Sequence, residues 1–224
     1  MSHNACGCSN GKVMLLSAVR EVFRSDEDYP RSLRIHLGNR MPKCIYVLGN
    51  VCILKRKSVA LFCSVKCPGD LVLKTYDLAR EFRDTGVTVI SGFHSPMEKE
   101  CLRILLRGRQ SLIICPARSL HGMRIPREWR PALAQGRLLL LSPFPQRHRR
   151  VTARLAVLRN EFVAAVAGRV FVAHAAPGGK TETFCRQMLT WKKPLLTFNG
   201  PENAAILALG ARPYDGASLT SGES

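Results

Sequence analysis

The 224-residue chain reads as an α/β protein built on a Rossmann-like, doubly wound, mostly parallel sheet flanked by helices. Three observations predict that class. From residue 57 onward, short runs rich in Val, Ile and Leu alternate with longer segments of helical periodicity. The short runs are apolar almost throughout rather than at every second position, as expected for strands covered on both faces of a parallel sheet. Successive strand–helix–strand units also require right-handed crossovers, which wind a sheet outward from a central strand.

Residues 1–50 read as a short N-terminal leader, with a helix over Val13–Phe23, the dipeptide Tyr29-Pro30 and a strand over Cys44–Leu48. The main domain is expected over 51–214. Its strands are Ser58–Cys63, Val87–Ser91, Ser111–Cys115, Arg137–Leu141, Val170–His174 and Pro194–Phe198. Helices are expected over Leu71–Thr85, Met97–Arg107, Arg149–Ala167 and Glu182–Trp191. In the third, Val151, Leu155, Leu158, Phe162 and Val166 recur at helical spacing and predict an inward apolar stripe. Residues 215–224 are rich in Gly and Ser and read as a flexible tail.

Charge narrows the partner. Lys and Arg number 34 against 16 Asp and Glu, a net charge of +18. Thirteen arginines and one acidic residue, Glu128, fall between Cys101 and Asn160. Guanidinium groups match phosphate oxygens bidentately and stay charged at physiological pH. Such a concentration inside a folded domain is the footprint of a nucleic-acid or nucleotide binder, although basic residues also serve simply to solvate helix faces. No run approaches the ~18 to 20 continuous apolar residues of a membrane span, so no membrane role is expected. The nine cysteines, mostly in apolar stretches, suit reduced thiols and a cytoplasmic location. Cys6 with Cys8, and Cys63 with Cys67, lack the paired ligand spacing of a structural zinc, and no metal or cofactor is expected.

In an open α/β sheet, ligands sit beyond the carboxyl ends of the strands. Four post-strand loops therefore carry the candidate site. The first offers Ser64 and Lys66, the second Ser91, Gly92 and His94, and the third Arg118. The last is Pro177-Gly178-Gly179-Lys180-Thr181. Pro96 is placed to start a helix, with Glu98 complementing its dipole. His94 has two readings, a contact to phosphate or base edge and a hydrogen-bonded structural histidine. The Gly178-Gly179 turn likewise suits either an anion or a plain connection with Thr181 as N-cap. It is not a Walker A loop, because His174 stands where that motif needs glycine. No nucleophile elbow, carboxylate pair or two-metal spacing is present, and Glu182 is the sole candidate for acid–base chemistry.

Ordered motifs then bring a family into view. Tyr29-Pro30 with Leu33, Leu48-Gly49-Asn50, Val59-Ala60 with Ser64, and Gly86-Val87-Thr88-Val89-Ile90-Ser91-Gly92 resemble the DprA/Smf family of DNA-processing proteins. The resemblance continues through Ile125-Pro126, Leu140-Leu141-Ser142 with Pro145, Arg159-Asn160, Phe171-Val172 and Gly210-Ala211, covering roughly residues 29 to 212. It implies an extended Rossmann fold that binds single-stranded DNA without catalysis, forms a homodimer, and passes the strand to a RecA-type recombinase in transformation. The family's Gly-Ser-Arg after the first sheet strand is reduced here to Cys63-Ser64-Val65. Its Ser-Gly-x-Ala-Arg-Gly-Ile-Asp loop is replaced by Ser91 to Glu98, and no winged-helix segment follows the sheet. His94, Lys66, Arg118 and the arginines around Ile125-Pro126 are expected to compensate for the lost arginines; Arg118, Arg127, Arg130, Arg159 and Lys180 are expected to neutralise phosphate, beside Asn160, with bases stacking on Trp129 or Phe93. The alternative is a nucleotide sensor or phosphoribohydrolase-like protein. Pro177 to Glu182 echoes the Pro-Gly-Gly loop of that group, but lacks the glycine before its threonine.

Overall fold

The computed structural model describes residues 18–216. Its nine strands form one sheet in the order β1-β2-β6-β5-β4-β3-β7-β8-β9. In chain order these are β1 (Arg20–Phe23), β2 (Cys44–Gly49), β3 (Ser58–Phe62), β4 (Thr88–Ser91), β5 (Leu112–Ile114), β6 (Leu138–Ser142), β7 (Arg169–Val172), β8 (Leu195–Thr197) and β9 (Arg212–Pro213). The helices are α1 (Ser32–Leu37), α2 (Gly69–Asp84), α3 (Pro96–Leu106), α4 (Arg130–Ala134), α5 (Ala153–Val166), α6 (Lys180–Thr190) and α7 (Ala204–Ala208).

From β6 through β9 every pairing is parallel, while β1 and β2 join one edge antiparallel. The strands are buried on both faces because a parallel sheet carries its crossover helices above and below. Alternation then divides the core in two. Val59 and Leu61 of β3 pack with Leu78 and Phe82 of α2 and Leu105 of α3. Ala60 and Phe62, pointing the other way, pack with Phe162 and Val163 of α5 and Met188 of α6.

Several expectations change on contact with the fold. The helix expected over Val13–Phe23 ends instead in β1, and its earlier part lies outside the described residues, as do Cys6 and Cys8. Residues 20–49 do not stand apart from the sheet: Val22, Leu33 and Ile45 share the core that holds Phe62 and Phe162. The strand expected over Pro194–Phe198 is not the sheet edge: β9 pairs with it, Leu196 opposite Arg212. The stripe on α5 is only partly inward. Leu155 and Phe162 are buried and Leu158 is exposed, because this helix is apolar around most of its circumference, while Val151 lies before the helix begins and is exposed.

The topology fixes where a ligand can sit. The chain leaves β3 toward β4, β5 and β6, then returns past β3 to add β7, β8 and β9 on its other side. Strand order reverses between β3 and β7, and the loops diverging there open a crevice at their carboxyl ends. Among the described residues, no helix is long and apolar enough to cross a membrane.

Candidate functional site

That crevice encloses about 520 Å³ and is walled by the N-terminal halves of α5 and α6. Its floor is formed by Phe62 and Cys63 at the end of β3, with His94, Ser95 and Glu98 behind. Each crossover helix runs back from the carboxyl edge, so α2, α3, α5 and α6 all begin at this end of the sheet. First-turn N–H groups lack intrahelical partners, which gives the rim a positive potential before any side chain is counted.

Glu98 organises the second loop. It occupies the first turn of α3, as its sequence position suggests, but it is buried and spans two loops. Its carboxylate accepts the Cys63 amide at 3.2 Å and the His94 amide at 2.9 Å. The Ser91 hydroxyl donates to it at 3.4 Å and accepts the Phe93 amide at 3.2 Å. Ser95 caps α3 by accepting the Glu98 amide at 3.2 Å. These bonds hold Phe93 at φ 47, a left-handed conformation rarely adopted by a bulky residue. Several bonds at once are what keep such strain in place.

Arg159 is the chemical centre. Its residue is 4 % exposed, and its Nη1 donates to the Cys115 carbonyl at 3.1 Å. Its Nε–H finds no partner. Among the described residues no carboxylate makes an ion pair with it. The adjacent Cys115 thiol is pushed up to about 12 by burial, with Arg159 opposing the rise, and so supplies no counter-charge. The guanidinium packs directly on Gly92: a Cβ there would stand 0.9 Å from Nη1. Gly92 therefore belongs to the site as the space that Arg159 fills. A guanidinium cannot escape burial by losing its proton, so an unpaired one leaves a cost that an anion in the crevice would offset.

Across the switch point the loops are stapled together. Ser64 donates its amide to the His174 carbonyl at 2.9 Å, and its hydroxyl accepts the Ala176 amide at 3.1 Å. His174 is itself buried against Asn203, Nδ1 to Oδ1 3.2 Å. Gly179, not Thr181, is the N-cap of α6. Gly178 takes φ 68 and donates its amide to Glu182 at 2.8 Å. Glu182 also accepts Arg186 at 2.7 Å, and these two partners, Arg186 first, hold its carboxyl below the usual range. This carboxylate is occupied in closing the turn.

The residues expected at the site divide into three groups. His94, Arg159, Asn160, Lys180 and Thr181 line the crevice together. Ser64, Ser91, Gly92, Gly178 and Gly179 are not among the lining residues but fix the loops and the Arg159 seat around it, while Lys66 is exposed on the loop after β3. Arg118, Arg127 and Arg130 are absent from its walls: Arg127 and Arg130 are exposed where α4 begins, on the sheet face that carries α2 and α3. The rings expected to stack are not available. Phe93 is buried, and Trp129 packs against the α2–α3 core. The crevice instead presents Phe184, packed edge-on against Phe62 with centroids 4.7 Å apart, and the amide of Gln187. Phe184 and Gln187 share a face of α6 with Lys180 and Thr183, a helical spacing legible once Lys180 is placed at the crevice. Arg147, Arg149, Arg150 and Arg154 border a separate groove on the other side of α5.

The profile of the family described as DNA recombination-mediator protein A matches residues 20–208. The fold resembles that of DNA processing protein A (DprA) from Streptococcus pneumoniae, at 16 % identity and a TM-score of 0.75, over 93 % of this chain and 75 % of that one. It also resembles the single-stranded-DNA-binding DNA processing protein A from Helicobacter pylori, at 20 % identity and a TM-score of 0.72, over 89 % of this chain and 92 % of that one. No curated protein sequence matches the chain.

Proposed function

We propose, from the premise that this chain belongs to the DNA recombination-mediator protein A family, that it binds single-stranded DNA and does not chemically alter it. The observation that carries this reading is Arg159, a buried cation with no ion pair among the described residues, opening on a crevice where helix N-termini converge. A backbone phosphate is the anion that fits: Arg159 takes its charge, Lys180 adds a second cation, and the first turn of α6 supplies N–H donors. Phe184 and the His94 ring offer faces for a base, and such stacking contributes about 1 to 3 kcal/mol per base without regard to sequence. Ser64, Ser91, Gly92, Gly178 and Gly179 act by holding the loops, while Lys66 meets the strand outside the walls. In the family setting the bound strand is passed to a RecA-type recombinase by a homodimer in the cytoplasm.

The observation against the phosphoribohydrolase alternative is Glu182, whose carboxylate is committed to Gly178 and Arg186. Glu182→Gln should leave any release of ribose from a nucleoside monophosphate at background, as in the parent protein.

The test is fluorescence anisotropy with a labelled oligothymidylate and with duplex DNA at two salt concentrations. Each phosphate neutralised on a single strand should contribute about −0.7 to the log–log salt slope. Binding of the single strand with a slope of about −1.5 or steeper, lost in Arg159→Met, is the expected result. A slope near zero, or equal affinity of the parent and Arg159→Met, overturns the reading.

A further inference from the structure

The groove beyond α5 has no part in the reading above. It encloses about 800 Å³, and its rim carries Arg147, Arg149, Arg150 and Arg154. All four are exposed, and among the described residues none of them makes an ion pair. The one carboxylate on the wall, Glu161, is already held by Arg40 at 2.6 Å. Below this rim the floor is apolar: Phe144 and Phe162 are buried, and Leu158 is 41 % exposed within it. A surface leucine over a hydrophobic floor, ringed by unpaired guanidinium groups, calls for an occupant with both carboxylates and a large apolar side chain.

We infer that the groove is a docking site for an acidic segment of a partner protein, in which one or two large apolar side chains are flanked by Asp or Glu. Arginine forks bind carboxylates bidentately, and a cavity of this size and lining suits side-chain anchors. Two other occupants fit less well. Single-stranded DNA needs an open ring face for stacking. Here Phe144 and Phe162 are buried, and the His148 ring is turned edge-on to Phe144 at 5.9 Å. Residues 1–17 contain no Asp or Glu and 217–224 contain only Glu223, so neither stretch carries the charge. In the chain's one acidic run, Asp26-Glu27-Asp28, Glu27 and Asp28 are tied to Lys55 and Arg20, and Asp26 accepts the Phe23 amide.

The experiment uses the full chain and three labelled probes in about 0.15 M salt, where screening acts beyond about 8 Å. The first is the peptide Glu-Asp-Asp-Leu-Phe-Asp-Asp-Glu, the second the same peptide with Gly-Ser replacing Leu-Phe, and the third a fifteen-nucleotide oligothymidylate. The first peptide should bind at least tenfold more tightly than the second. The pair Arg149→Ala with Arg150→Ala, and separately Leu158→Asp, should each weaken it at least tenfold with unchanged melting curves. Lys180→Ala in the crevice should leave it unaffected, and the oligonucleotide should not displace it. Equal binding of the two peptides would reduce the groove to nonspecific charge and overturn the proposal. So would displacement by the oligonucleotide, with the arginine pair weakening both ligands alike, which would assign the groove to nucleic acid. Peptide binding by a protein with no affinity for the oligonucleotide supports the groove and overturns the crevice reading alone.

Discussion

On one side of α5, Arg159 lies buried against Gly92 with an unpartnered Nε and, among the described residues, no ion pair; on the other, Arg147, Arg149, Arg150 and Arg154 stand in solvent above an apolar floor. The crevice has little charge, but Glu98 and Arg159 are fixed by hydrogen bonds to their neighbours. The groove has more charge and less fixation. A preorganised donor in a water-poor site interacts with an anion more strongly than a mobile one in bulk solvent, because screening is weaker and no reorganisation is required. Counting arginines along the chain therefore locates the groove more readily than the crevice.

The largest effect expected is at Gly92. Replacement by valine would push the Arg159 guanidinium out of its seat, costing about 3 kcal/mol or more by overpacking and abolishing binding of single-stranded DNA. Thermal melts and anisotropy would check both, and a stable, fully binding variant would break the contrast between the two regions. Glu98→Ala should cost about 2 kcal/mol, since it leaves the buried Cys63 amide and the part-buried His94 amide without their acceptor, and should weaken DNA binding by loosening both loops. Arg159→Met separates stability from function. Stability should hold or rise by about 1 kcal/mol, because an apolar isostere ends the cost of an unpaired buried charge, while affinity for the oligonucleotide falls at least tenfold.

A second buried cation sharpens the point. Lys193 is 6 % exposed, lies 3.2 Å from His36, and is brought down to about 8 by burial. Unlike Arg159 it can shed its proton. Its folded value lies below its unfolded value of 10.5, so between those limits the unfolded chain binds more protons and stability rises with pH. The expected slope is at most about 1.4 kcal/mol per pH unit, with the penalty fully present below about pH 8. Lys193→Met should flatten that slope in denaturant titrations, whereas Arg159→Met should leave it unchanged. The smallest effect is in the groove: Arg150→Ala should change the oligonucleotide salt slope by less than the ~0.7 expected for a lost phosphate contact.

Much of the fold was legible because a buried parallel strand needs a continuous apolar run, and such runs at Ser58, Val87, Ser111, Arg137, Val170 and Pro194 leave few other readings. Loop positions were legible for a related reason, since ligands gather where strands end. What escaped the sequence were the partnerships. Glu98 reads as an ordinary first-turn acid until the end of β3 is beside it, and Gly92 reads as a flexible turn until Arg159 occupies its missing side chain. Arg127 and Arg130 share the composition of Arg159 but sit where α4 begins, because a crossover places its helix on one face of the sheet or the other.

Local chemistry along the chain thus determined the α/β class, the strands from β2 to β8 and the loops that end at the carboxyl edge, but not the edge strands β1 and β9. Only the tertiary structure decided which of thirteen neighbouring arginines became a buried, unpaired charge and which became an exposed rim. Burial is set by residues far apart in sequence, as when Gly92 and Cys115 enclose Arg159, and no short-range pattern records that meeting.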